Sequence, residues 1–293
     1  MTRRKGIILS GGTGTRLHPL TNVVSKQLLP VYDKPMIYYS LSTLMLAGIR
    51  EILIITTPRD CETFRNLLGD GSQLGINITF QIQEKPNGIA EAFKIGKNFI
   101  KTSNVALILG DNIFHGNSLI NLMDETDSYQ DGATIFAYSV SDPERYGIVE
   151  FDNDGKALDI VEKPKKPKSS FAITGLYFYD NSVVDRVAVL SPSERGELEI
   201  TDLNNLYLKE KKLHVKLMNR GMTWLDTGTF DSLFEASGYI QTLQKRQGLM
   251  IGCPEEISFK MGWINDETLI RNAEKSIKTS YGKYLLSLLD NKA

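Results

Sequence analysis

A chain of 293 residues can bury a large core, and it allows one large domain or two tightly joined ones. Its 34 Lys and Arg against 35 Asp and Glu leave a formal charge of −1, so no basic field surrounds it to hold nucleic acid, and a phosphate ligand has to be met by a local site. No apolar run reaches membrane-spanning length, the stretch after Arg3-Arg4-Lys5 is too short for a secretory signal, and two distant cysteines, Cys61 and Cys253, read as reduced thiols of a cytoplasmic protein.

The first predicted element is a short apolar strand over 5–9, which empties through Ser10 into Gly11-Gly12-Thr13-Gly14-Thr15-Arg16-Leu17. Glycines leave backbone N–H groups bare, and bare N–H groups cradle phosphate. Arg16 adds a charged fork and Lys26 a point charge at the edge of that cradle. A Walker loop would need Gly-Lys-Ser/Thr where Thr15-Arg16-Leu17 stands, and a dinucleotide fingerprint counted from Gly12 would need glycine in place of Leu17. Both fail, and a polyphosphate site of another kind remains; a turn whose glycines solve only a backbone problem is the competing reading.

Strand-like segments at 51–56, 77–81, 105–109 and 133–138 then alternate with helical spacing over 36–47, 60–68, 89–100 and 118–126. This predicts an α/β chain, doubly wound, with parallel strands and crossover helices. Gln83 closes the 77–81 strand beside Glu84-Lys85-Pro86-Asn87-Gly88. Its amide can donate to a pyrimidine carbonyl and accept from a ring N–H, although an exposed glutamine is the commoner case. Leu107-Ile108-Leu109-Gly110-Asp111-Asn112 puts a carboxylate at the end of a buried strand, where open α/β sheets bind ligands; a plain turn competes.

From residue 147 a hairpin is expected, 148–151 and 157–161 around Asp152-Asn153-Asp154-Gly155. Tyr146-Gly147 precedes it, and Glu162-Lys163-Pro164 comes after it with a carboxylate for hydroxyls and a lysine for a sugar phosphate, where a weak surface pair is the plain alternative. In the strand at 171–178, Gly175 marks the close approach of a backbone or ligand. Helical spacing covers 198–210 and 230–246. Between them Trp224-Leu225-Asp226-Thr227-Gly228 supplies a second carboxylate, or else a helix cap. Mg²⁺ takes one or two carboxylates plus phosphate oxygens, which Asp111 and Asp226 would satisfy. Helices at 266–276 and 281–289 carry apolar faces that need a cover, for which a subunit interface is expected. The expected organisation is a catalytic domain over 1–240, with a nucleotide half of about 1–140 and a sugar-binding half of about 141–240, then a C-terminal helical assembly segment over 241–293.

The glycine loop, the run Lys26-Gln27-Leu28-Leu29-Pro30-Val31-Tyr32-Asp33-Lys34-Pro35-Met36, and Glu144-Arg145-Tyr146-Gly147, Gly196-Glu197-Leu198-Glu199 and Trp224-Leu225-Asp226-Thr227-Gly228-Thr229 resemble the sugar-phosphate nucleotidyltransferases, over residues 5 to about 265. The resemblance implies a Rossmann-like mixed sheet with an inserted sugar-binding part, and transfer of a thymidylyl group from dTTP to glucose-1-phosphate with release of pyrophosphate. It implies that Gly11, Gly12, Thr13, Gly14, Arg16 and Lys26 hold the triphosphate, and that Gln27, Gln83 and Gly88 hold deoxyribose and thymine. It sets the sugar phosphate against Asn112, Tyr146, Gly147, Glu162, Lys163, Gly175, Tyr177 and Glu197, with Asp111 and Asp226 as magnesium ligands. Catalysis is then positioning and charge neutralisation by Arg16, Lys26, Lys163 and Mg²⁺. A homotetramer under feedback from dTDP-rhamnose at a second site is implied as well. Ser10 replaces a usual alanine, Glu91 a frequent glutamine and Phe230 a frequent histidine, none of which removes a charge that the chemistry needs. The rival readings are a same-fold enzyme using UTP or another nucleotide, and a nucleotide-sugar sensor without turnover. A dehydrogenase fails on glycine spacing.

Overall fold

Alternating apolar side chains sort the central strands onto two covered faces in the computed structural model, which describes residues 4–129, 131–152 and 154–290. Strands β1 (Lys5–Ser10), β2 (Glu51–Thr56), β3 (Asn77–Ile82) and β4 (Val105–Leu109) lie parallel in the order β3-β2-β1-β4. Ile8, Ile52, Ile54 and Ile108 point to one face, against Leu41, Leu44 and Phe64 of helices Ile37–Leu46 and Cys61–Leu68. Their neighbours Ile7, Leu53, Ile55 and Leu107 point to the other, against Phe93, Val187, Leu203 and Tyr207. Each such side chain contributes about 1.5–3 kcal/mol by leaving water, and a one-residue register slip would exchange the two faces and misfit both cores.

β5 (Ala133–Ser139), β6 (Gly147–Phe151), β7 (Ala157–Glu162), β8 (Phe171–Tyr179) and β9 (Leu213–Leu217) complete a nine-stranded mixed sheet. β8 runs antiparallel to β4, β5 and β6. The strand expected at 133–138 therefore does not join the parallel set; β5 is parallel only to β9, a strand absent from the sequence reading. The hairpin β6-β7 forms as expected, with Asp152 Oδ1 accepting from the Asp154 and Lys156 amides and Gly155 at φ 76°. Asn153 of that turn, like Arg3 of the basic start, lies outside the described residues.

The helical pattern at 89–100 is two short helices, Glu91–Ile95 and Lys97–Ile100. Gly96 separates them because the chain presses on the sheet there, and a Cβ would lie 3.0 Å from Ile7 Cδ1. Helix Phe230–Gln247 starts in a capping box between Thr229 and Ser232. Helices Pro254–Lys260, Asp266–Glu274 and Ser280–Asp290 share a small core of Cys253, Ile264, Leu269, Ala273, Leu285 and Leu288. They dock on the chain's own 72–75 turn, where Ser258 Oγ donates to Leu74 O at 2.7 Å, Asn272 Nδ2 to Gln73 O at 2.8 Å, and Arg50 stacks 5.3 Å from the Trp263 ring. The expected subunit interface is untouched by this packing: the segment closes its own core and docks on the 72–75 turn, while Met261, Ile270 and Ile277 keep apolar surface exposed. Among the described residues no helix is long and apolar enough to cross a membrane.

Candidate active site

β1 ends at Ser10, and the glycine loop turns away from the sheet with Gly12 at φ 95° and Gly14 at φ 61°, conformations that tolerate no Cβ without strain. The loop then enters a 3-10 turn, Thr15–Leu17, rather than an α-helix. A phosphate here would be held by backbone N–H groups and side-chain charge, with no long helix dipole behind them. Arg16 is exposed and its guanidinium crosses Gly228, where a Cβ would lie 3.0 Å from Nη2. Lys26 is buried and its ammonium pairs with Asp111 Oδ2 at 2.5 Å. Gln27, also buried, accepts from Ser25 Oγ at 2.7 Å and lies under Gly110.

Two residues predicted as a pair meet through a ribbon invisible in the sequence. Asn112–His115 pairs antiparallel with Thr223–Asp226, so that Asp226 faces Asn112 and stands beside Asp111. Thr227 locks the corner by donating from N and Oγ1 to Asp111 O. Burial raises the Asp111 carboxyl, but Lys26 and then Asn112 outweigh it, and the group is held below the ordinary carboxylate range. Asp226 goes the other way, raised by burial and then by the Asp111 charge, with Lys26, Arg16 and Arg145 in opposition. One carboxylate is thus secured as an anion while its neighbour resists ionisation.

A cavity of about 670 Å³ opens beyond these aspartates. Arg16, Asp111, Asn112, Tyr146, Gly147, Glu162, Lys163, Gly175, Tyr177, Glu197 and Asp226 all line it. Asn112 is mostly consumed by its surroundings: Oδ1 accepts from Gly175 N at 3.0 Å and from Trp224 Nε1 at 2.6 Å, and Nδ2 donates to Asp111 Oδ1 at 2.8 Å. The close approach foreseen at Gly175 is therefore that of Asn112, whose Oδ1 would collide with a Cβ. Glu162 accepts from Thr201 Oγ1 at 2.6 Å. Lys163 comes next with φ 43°, a left-handed backbone that is uncommon without glycine, and it is half exposed. Burial pushes the Tyr146 hydroxyl up to about 12 and raises that of Tyr177 further, so both remain donors.

The remaining predicted residues lie on the glycine-loop side. Gln83 is buried against Gly11, where a Cβ would collide with Oε1, and Gly88 at φ 105° is pinned to the Leu198 backbone. Thr13 and Gly12 are exposed on the loop itself. The sequence reading missed Arg145, Arg195 and Thr201, which also line the cavity. Arg195 donates to both oxygens of Glu199, at 2.8 and 2.9 Å, and lies 3.7 Å from Glu162 and from Glu197. Its only signal was a charge opposite to theirs in the polar loop before Gly196. Arg145, 3.6 Å from Asp226, stands inside the Glu144-Arg145-Tyr146-Gly147 motif.

The chain matches the Nucleotidyl transferase family model over residues 5–242. It is 58% identical over 288 residues to a glucose-1-phosphate thymidylyltransferase of Xanthomonas campestris pv. campestris (strain B100), covering 98% of each chain. A glucose-1-phosphate thymidylyltransferase of Neisseria meningitidis is 56% identical over 285 residues, 97% of this chain and 99% of its own. A Bacillus anthracis structure assigned to the glucose-1-phosphate thymidylyltransferases, solved with sucrose, superposes with a TM-score of 0.76 at 43% identity, covering 80% of this chain and 94% of that one. A UDP-glucose pyrophosphorylase solved with UDP-glucose gives a TM-score of 0.71 at 23% identity, covering 82% and 99%, which is a likeness of fold alone.

Proposed function

The chain belongs to the nucleotidyl transferase family, among the glucose-1-phosphate thymidylyltransferases, and we propose that this cavity joins glucose-1-phosphate to the thymidylyl group of dTTP. A phosphate oxygen of the sugar phosphate attacks the α-phosphorus, the new P–O bond forms as the α–β bridge breaks, and pyrophosphate leaves. The nucleophile is already an anion at neutral pH, so no covalent enzyme intermediate is needed. The observation that carries the reading is the Lys26–Asp111 contact, which joins the glycine loop to the carboxylate pair at the foot of the cavity.

In this reading Gly11, Gly12, Thr13, Gly14, Arg16 and Lys26 hold the triphosphate, Gln27, Gln83 and Gly88 the nucleoside, and Lys163 with Glu162 the sugar phosphate. Asp111 and Asp226 suit Mg²⁺: the pair offers hard oxygen donors, and the raised Asp226 carboxyl is one that a dication would favour as an anion. No cluster of three or more His, Cys, Asp or Glu completes a cage among the described residues, so phosphate oxygens and water would fill the shell, as that ion prefers. When bound, the ion neutralises charge on the transferring phosphoryl group.

A panel of dTTP, dUTP, UTP, dCTP and ATP with glucose-1-phosphate, assayed for pyrophosphate release, tests activity and base choice together. Turnover of dTTP is expected to lead; preference for UTP would move the protein to another branch. We also propose a homotetramer with feedback by dTDP-rhamnose at a second site near a subunit contact. A second cavity of about 650 Å³ supports it, lined by Tyr39, Phe114, His115, Leu249, Ile251 and Met261. Two buried free cysteines suit a reducing, cytoplasmic setting.

A further inference from the structure

Glu91 stands out in the sequence only as a departure from glutamine, and it touches none of the charged groups of the site. It nonetheless reaches Gln83. Gln83 Nε2 donates to Glu91 Oε2 at 2.7 Å, and the same nitrogen lies 3.3 Å from Gly88 O. The other Glu91 oxygen accepts from Asn87 Nδ2 at 2.8 Å, which keeps the carboxylate from swinging away. The turn between them is itself rigid, since Leu198 N donates to Asn87 O at 2.7 Å and Ala90 N to Leu198 O at 3.2 Å.

A carboxylate accepts and cannot donate, so it dictates which way round a neighbouring amide stands. Both Nε2 hydrogens of Gln83 are thereby spent on the protein. Its Oε1, packed against Gly11 on the glycine-loop side, accepts from no donor among the described residues and is the one polar atom of the amide left for a ligand. We propose that Glu91 is a positioning residue for base selection: by holding the Gln83 amide in one orientation it makes that side chain an acceptor only, matched to a pyrimidine whose ring N3 carries a hydrogen. The proposal rests on the reading of Gln83 as the residue that meets the base. Thymine and uracil carry N3–H, whereas cytosine presents a lone pair there and would face the Gln83 oxygen. Turning the amide over to suit cytosine would set Oε1 against Glu91 Oε2, acceptor against acceptor. A glutamine at position 91 could donate as well as accept and would permit both orientations.

The test compares kcat/KM for dTTP, dUTP and dCTP in the parent and in the Glu91→Gln, Glu91→Ala and Gln83→Leu variants, with KM for glucose-1-phosphate as the check on folding. In Glu91→Gln, which keeps the shape, the dTTP:dCTP ratio should fall by about tenfold or more, the scale of one mispaired buried polar group, mainly through better use of dCTP. The dTTP:dUTP ratio should not move, because both bases carry N3–H. Glu91→Ala should also narrow the dTTP:dCTP ratio while lowering use of dTTP. If Gln83→Leu collapses that ratio and both Glu91 variants keep it, the positioning role is overturned and the base-reading role stands. If Gln83→Leu keeps the ratio too, both are overturned.

Discussion

Ser10 buries its side chain completely, and Oγ has no hydrogen-bond partner among the described residues. A buried hydroxyl without a partner costs about 1–3 kcal/mol. Ser10→Ala is therefore expected to raise the unfolding free energy by about 1 kcal/mol, seen as a Tm higher by about 2–4 °C in thermal unfolding; a lower Tm would show that the hydroxyl is satisfied in solution. The aspartates predict opposite signs. Asp226 has a folded-state pKa above its unfolded value, so the folded state holds that proton more tightly and stability is lost as pH rises through the carboxylate range. Asp111 is depressed, so its contribution is present above the unfolded value and is lost as pH falls. Without divalent cations, Asp226→Asn should melt higher than the parent at neutral pH and converge with it in acid. Asp111→Asn should melt lower at neutral pH, because Lys26 is left buried and unpaired. Both should lose turnover on the order of 10²–10³. Calorimetric scans between about pH 3 and pH 7 would check the signs, and two shifts of the same sign would break the assignment.

At the scale of elements, the turn that closes β7 holds the next prediction. Lys163 stands in the left-handed region, with its amide donating to Tyr146 O at 3.0 Å. Lys163→Ala and Lys163→Gly should share a loss on the order of 10²–10³ in kcat/KM for glucose-1-phosphate while dTTP binding changes little. They should differ in stability, glycine being the more stable by about 1 kcal/mol because it has no Cβ to strain. Equal melting of the two would deny the strain, and equal loss of affinity for both substrates would deny the role. Elements of this kind were legible where period and punctuation agree. Three of the four parallel strands follow from continuous apolar runs ending in turns, Asn-Ile-Thr-Phe-Gln-Ile follows from its alternation, and the hairpin follows from its Asp-Gly turn. The ribbon that brings Asp226 to Asp111 was not, because its strands are four residues each, separated by residues 116–222, and no local turn announces the pairing. β9 was missed although Leu-His-Val-Lys-Leu alternates apolar and polar residues, because the run is short and follows directly on the helical spacing of 198–210. The contact of Glu91 with Gln83 depends on a glycine turn folding eight residues back on themselves, which composition does not reveal.

For the whole molecule, the proposed tetramer needs a surface that would meet another subunit. The sequence pointed to the C-terminal apolar segments, yet Ile264, Leu285 and Leu288 are buried within the chain, and Trp263 is half-buried beside Arg50. Apolar surface also stays wet at the rim of the second cavity, where Ile120 is 39%, Leu249 50% and Met261 42% exposed. Apolar side chains gathered at one mouth favour burial by a partner, at about 25 cal/mol per Å². Met261→Glu, alone or with Leu249→Glu, places charge at that mouth, where assembly would have to desolvate it. The variants should sediment as smaller species than the parent and lose inhibition by dTDP-rhamnose. KM for dTTP and for glucose-1-phosphate should hold, since none of the residues named for the catalytic cavity is touched. A parent protein that sediments as a monomer at micromolar concentration ends the idea. Variants that stay assembled yet lose feedback would keep the cavity as a ligand site and move the subunit contact to another face.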